Sequence, residues 1–255
     1  MMDLKLRGKK ALITGSSRGI GFSIAHRLAQ EGCHLVIVGR EMSTLEGAKS
    51  SLLAAGAPSV STHVANFAHV EELDAILALT SDIDFLVNSA GEVPRGTIND
   101  VSSERFRQAF DVKVMGTIDL CRKALDHMYV KKEGVIVNII GISGERYNPK
   151  SVATSCTNAA LIAFTQAVGS ISVDHNVRVL GINPGLIETE RTKGIFDLDN
   201  NIDNSAYKHL ISTLPLGRMG YPEEIANVVA FALSEQASYM SGTVLNVDGG
   251  ARYRV

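Results

Sequence analysis

Apolar positions along the chain come in short blocks separated by longer amphipathic stretches. Runs rich in Val, Ile and Leu predict strands over 11–14, 35–38, 60–64, 85–88, 135–140, 177–182 and 244–247. Between them, apolar residues at helical spacing predict helices over 20–30, 42–55, 70–79, 103–129, 152–173 and 222–233. Alternation of this kind implies a parallel sheet of seven strands with helices on both faces. The block 134–140 is apolar almost throughout, as a strand buried on both faces should be. No linker or internal repeat divides the sequence, so residues 1–255 are expected to form one domain. The stretch 189–214 is long and polar at its centre, and is expected to be a flexible lid.

Composition narrows the function classes. Hydrophobic residues make up 45% of the chain, enough for a substantial core. A net charge of −2 makes no electrostatic case for nucleic acid or an anionic membrane surface. Cys33, Cys121 and Cys156 lie far apart without metal-ligand spacing, which argues against disulfides and against a metal site. Cys156 is expected to be a small buried core residue. The first ten residues lack the apolar run of a signal peptide, and the most apolar stretches read as shorter than a membrane span. A cytoplasmic protein is the expectation.

Candidate chemistry begins at Thr14-Gly15-Ser16-Ser17-Arg18-Gly19-Ile20-Gly21, between the first strand and first helix. Glycines there permit a sharp turn and close approach of a diphosphate to a helix N-terminus, where unpaired N–H groups favour negative charge. The spacing of Gly15, Gly19 and Gly21 resembles that of the short-chain dehydrogenase/reductase family. Asn88-Ser89-Ala90-Gly91, Asn183-Pro184-Gly185 with Ile187 and Thr189, and the segments 215–225 and 241–250 resemble further motifs of that family, in order. The resemblance implies a Rossmann-type doubly wound fold with a nicotinamide cofactor. Thr14, the turn residues Gly15 and Ser17 to Gly21, Asn88, Ala90, Gly91, Pro184, Gly185, Ile187 and Thr189 would then border it. Asn66 would lie beside the adenine, where the family usually has Asp, and Asn158 beside the ribose.

Charge at the end of the second strand bears on cofactor choice. An NAD enzyme needs a carboxylate there for the 2′-hydroxyl. Gly39 occupies the place, with Arg40 next to it and Arg18 in the glycine turn, so NADP(H) is favoured over NAD(H). The competing reading is two solvated surface arginines.

The catalytic positions depart from the family pattern. The resemblance implies an Asn-Ser-Tyr-Lys tetrad, with Tyr as acid and Lys four residues later on the same helix face. Registering 137–144 and 158–164 on the family places Gly141 at the Ser, Thr154 at the Tyr and Asn158 at the Lys; 111–116 places Lys113 at the Asn. No register error hides the pair, since no Tyr in the chain is followed by Lys four residues on. A Thr hydroxyl lacks the acidity of Tyr near neutral pH. Lys113 is the first candidate for a substitute acid, base or ribose anchor, against the alternative of a solvated helix lysine. Ser143 and Tyr147 follow the fifth strand as candidates to help catalysis or only line a pocket; Glu92 reads as a possible acid or a rim charge.

An atypical NADP(H)-dependent oxidoreductase acting on a small molecule is the expectation. A non-redox lyase or isomerase, or a non-catalytic cofactor-binding partner protein, are the alternatives. The two longest helices imply, by the same resemblance, a homodimer or homotetramer.

Overall fold

The computed structural model describes residues 3–195 and 205–253. Seven parallel strands form one sheet: β1 (Lys10–Thr14), β2 (His34–Gly39), β3 (Val60–Val64), β4 (Phe85–Asn88), β5 (Gly134–Ile139), β6 (Val177–Pro184) and β7 (Val244–Val247). Their order is β3-β2-β1-β4-β5-β6-β7, so the winding direction reverses between β1 and β4. Crevices for ligands open at such a reversal, beyond the carboxyl ends of the strands.

Helices α1 (Gly19–Gln30), α2 (Met42–Ala54) and α9 (Pro222–Leu233) pack on one face, where Ile24, Leu28, Ile37 and Val229 are buried. On the other lie α3 (Val70–Leu77), α5 (Gly116–Lys131) and α6 (Val152–Ile171), over Leu12, Leu86, Ile136 and Leu120. The central strands β4 and β5 are buried through nearly their whole lengths. The edge strand β3 leaves Ser61 and Val64 exposed, so its apolar pattern is weaker.

Three expectations change. The helix expected over 103–129 is split: α4 (Ser103–Ala109) passes through a π-helical turn, Phe110–Met115, into α5. That wider turn carries Lys113, and such bulges concentrate at functional sites. The stretch 189–214 is not wholly irregular, because α7 (Glu190–Ile195) and α8 (Ser205–Thr213) lie within it; residues 196–204 fall outside the described residues. Finally, the segment Val152–His175 is long and apolar enough to cross a membrane by length and composition. It is a core helix with a continuation: Leu161, Thr165 and Gly169 are buried and α6 packs along β6.

Candidate functional site

The glycine turn is shaped by contacts that tolerate no side chain. Gly15 has φ +63°, and a Cβ on it would stand 2.9 Å from the Ala90 Cα and the Ser89 carbonyl oxygen. A Cβ on Gly21 would stand 2.3 Å from the Gly15 carbonyl oxygen. Beneath the turn, Thr14 Oγ1 accepts from the N–H groups of Ser89 and Ala90, both at 3.0 Å, and so pins β1 to the end of β4.

Above the reversal point lies a cleft of about 1120 Å³. The turn residues Gly15 and Ser17 to Gly21 line one end, together with Gly39, Arg40, Asn66, Ala90 and Gly91. Lys113, Gly141, Ser143, Tyr147, Thr154 and Asn158 line the other, with Pro184, Gly185 and Thr189 between. Thr14, Asn88 and Ile187, expected at the cofactor, do not line it. Thr14 is a buried tie, and Asn88 faces the opposite way, donating to Asn138 Oδ1 at 2.9 Å and Cys121 Sγ at 3.3 Å. Ile187 is buried in the core and pairs through its backbone with Gly220.

The cleft end at α1 suits a nicotinamide dinucleotide. Arg18 precedes α1 without a side-chain cap, so the first N–H groups of the helix open toward the cleft. Asn66 Oδ1 accepts from the Ala68 N–H at 3.1 Å, which leaves its NH₂ end for a ring nitrogen. Arg40 and Arg18 are not solvated singly: Arg40 pairs with Glu92 at 2.9 Å and Arg18 with Glu190 at 3.8 Å. Glu92 is thus a rim charge. Thr192 donates its hydroxyl hydrogen to the Ile187 carbonyl, so Thr189 is the donor in the 2.9 Å contact between the two hydroxyls.

At the other end, Lys113 is only 8% exposed. Its Nζ donates to the Ile140 carbonyl at 3.1 Å and to Asn158 Oδ1 at 2.5 Å, and no carboxylate of the described residues pairs with it. Burial pushes its pKa down to about 8, helped by the charge of Arg191. The Lys113 stem lies on Gly91, where a Cβ would come within 3.0 Å of it.

Asn158 in turn donates from Nδ2 to the Gly141 carbonyl at 3.2 Å, so both ends of its amide are held. Gly141 has φ +126° and gives its N–H to Asn183 Oδ1 at 3.2 Å. A Cβ on Gly141 would stand 2.9 Å from Asn158 Nδ2. Gly141→Ser is therefore expected to cost about 1–3 kcal/mol, since both the backbone and the locked amide resist it. A thermal melt unchanged from the native protein would show that the amide yields freely.

Thr154 and Ser143 face the cleft, while Tyr147 stands at its rim, 72% exposed. Cys156 is exposed on the outer face of α6, which corrects the expectation of a buried residue. Two turns of helical phase explain it: Ala153, Thr157 and Leu161 take the inner face. Arg191, Arg95 and Arg146 also line the cleft, and sequence reasoning missed them. Arg95 and Arg146 lie in loops, where no periodicity marks an inward-facing side chain, and Arg191 lies on α7, too short to show one.

The family model described as enoyl-(acyl carrier protein) reductase matches residues 15–252. The 3-oxoacyl-(acyl-carrier-protein) reductase FabG of Aquifex aeolicus is 36% identical over 255 residues, covering 98% of this chain and 99% of that protein. Its counterpart in Chlamydia muridarum is 34% identical over 253 residues, with 98% and 99% covered. Among solved structures, L-sorbose reductase from Gluconobacter frateurii, complexed with NADPH and L-sorbose, superposes with a TM-score of 0.92 at 32% identity over 100% of both chains. The glycine turn, the strand order and these matches agree: the chain belongs to the short-chain dehydrogenase/reductase family, whose members are oxidoreductases that use nicotinamide cofactors.

Proposed function

We propose that this protein is an NADP(H)-dependent oxidoreductase that reduces a double bond of a small molecule, with Lys113 as its proton donor. The observation that carries this reading is the buried Lys113 amino group, held in the cleft by two neutral acceptors. A protonated lysine has three N–H donors, and two are engaged, so the third has no partner among the described residues. NADPH, when bound, supplies the hydride. Lys113 Nζ gives its proton to the atom that becomes basic as the double bond is reduced, and regains one from solvent. Thr154 contributes a hydroxyl to the pocket without the acidity of a tyrosine.

In the family register, Lys113 takes the Asn position and Asn158 the Lys position. The same two residue types are exchanged. Their direct contact gives a reason for it, because a lysine at 158 beside Lys113 would put two ammonium groups together in a buried site. Asn158→Lys alone is accordingly expected to unfold or loosen the site. Lys113→Asn combined with Asn158→Lys should recover the thermal stability that the single change loses. A double variant no more stable than Asn158→Lys alone would sink the exchange.

Support for NADP(H) over NAD(H) comes from Gly39 at the end of β2, flanked by Arg40 and Arg18. Glu92 competes with a ligand phosphate for Arg40. Glu92→Gln is expected to tighten NADPH roughly two- to fivefold, the worth of one exposed ion pair, and to leave NADH unchanged. Calorimetric titration with each cofactor tests both points. Absence of NADPH binding at submillimolar concentration removes the whole reading. A homodimer or homotetramer through α5 and α6 belongs to the same reading, supported by the small outward residues Cys156, Ala163 and Ala167. Light scattering after size exclusion reads it.

A further inference from the structure

The half of the cleft around Lys113 carries unbalanced positive charge among the described residues. Among the described residues three carboxylates line the cleft, and all are spent or placed elsewhere. Glu92 is paired with Arg40, Glu190 with Arg18, and Glu41 follows Arg40 at the end of β2. Arg191, Arg95 and Arg146 also line the cleft, and none is in an ion pair with another described residue. Arg191 gives one Nη to the Val93 carbonyl at 3.3 Å, two residues before Arg95. Arg146 gives one to the Ala251 carbonyl at 2.7 Å. Neutral carbonyls orient these guanidinium groups without cancelling their charge. Arg191 is also near enough to Lys113 for its charge to be felt there.

Resting on the oxidoreductase reading above, we infer that the substrate carries a carboxylate, held by Arg191 with Arg95 beside it, and presents its reducible bond to Lys113. A guanidinium fork matches a carboxylate in two parallel hydrogen bonds, and the anion offsets the repulsion between Arg191 and Lys113. A neutral substrate would leave the repulsion between Arg191 and Lys113 without an anion to offset it.

The probes are 2-oxo, 3-oxo and 4-oxo acids and 2-enoates of four to eight carbons, each beside its methyl ester. Calorimetry on the native protein saturated with NADP⁺ reads binding, and NADPH oxidation reads turnover. At least one acid should bind ten times or more tighter than its ester. Arg191→Gln should weaken that acid at least tenfold and leave the ester alone, with Arg191→Lys between. Esters that bind as well as acids, equal losses of both in Arg191→Gln, or failure of every acid to bind would each overturn the inference. In the last case, retained NADPH binding leaves the cofactor reading standing, whereas its loss removes both.

Discussion

Replacing Lys113 with methionine is expected to lower turnover by at least about 100-fold while NADPH still binds, the usual scale for losing a positioned acid. Methionine keeps an unbranched apolar stem of similar length against Gly91, with sulfur in place of Cδ, and removes the amino group. Turnover within threefold of the native value would take Lys113 out of the mechanism. The pH dependence follows from the depressed pKa. As a proton donor, Lys113 acts while protonated, so kcat should fall as pH rises through about 8.

Stability carries the same signature with a definite sign. Between about 8 and 10.5 the unfolded chain holds a proton on Lys113 that the folded chain has released. The cost to the fold is therefore complete below about 8 and is relieved as pH climbs toward 10.5, on the order of 3 kcal/mol. The methionine variant lacks this term, so its stability relative to the native protein should be greatest near neutral pH and decline above it. Cys33 and Cys121, whose thiols burial pushes up to about 12, act alike in both proteins and cancel in the difference. Urea melts of the two proteins at pH 7 and 9 measure it. A difference that stays constant would place the amino group in water.

Gly21→Ala is the second change with a large expected effect. The added methyl would lie 2.3 Å from one backbone atom of Gly15 and 2.9 Å from another, and neither can swing aside as a side chain could. The turn must open, with loss of about 3 kcal/mol or more, a Tm fall of roughly 6–12 °C and at least 100-fold weaker NADPH binding. Gly47 is the control. It lies exposed in α2 with nothing within 4 Å of a Cβ, so Gly47→Ala should stabilise by about 0.5–1 kcal/mol through helix propensity. If Gly21→Ala melts like the native protein, the turn is not the tight junction described.

Much of the scaffold was legible because buried parallel strands have a local signature. The blocks 60–64, 85–88 and 244–247 match β3, β4 and β7 end for end. The π-turn at Phe110–Met115 was not legible, because one extra residue per turn scarcely alters apolar spacing over six residues. The helices α7 and α8 were missed for another reason: each is short, and the polar run 197–204 between them reads as part of one long loop. Register carried Lys113, Gly141, Thr154 and Asn158 to one cleft. It also drew in Thr14, Asn88 and Ile187, which hold the walls instead, since a motif position says nothing about side-chain direction.

By itself the sequence determined the seven strands, the glycine turn and the absence of any Tyr followed four residues later by Lys, since each depends only on residue types at short spacing. Tertiary structure alone decided the rest. Lys113 and Asn158 are 45 residues apart, and only the packing of the π-turn against α6 brings Nζ onto the amide. Arg191 and Val93 are 98 residues apart, and only the fold that sets α7 beside the loop after β4 joins them. Burial, and with it the low pKa of a lysine that a linear reading could equally have left in water, is a property of what surrounds a side chain in space.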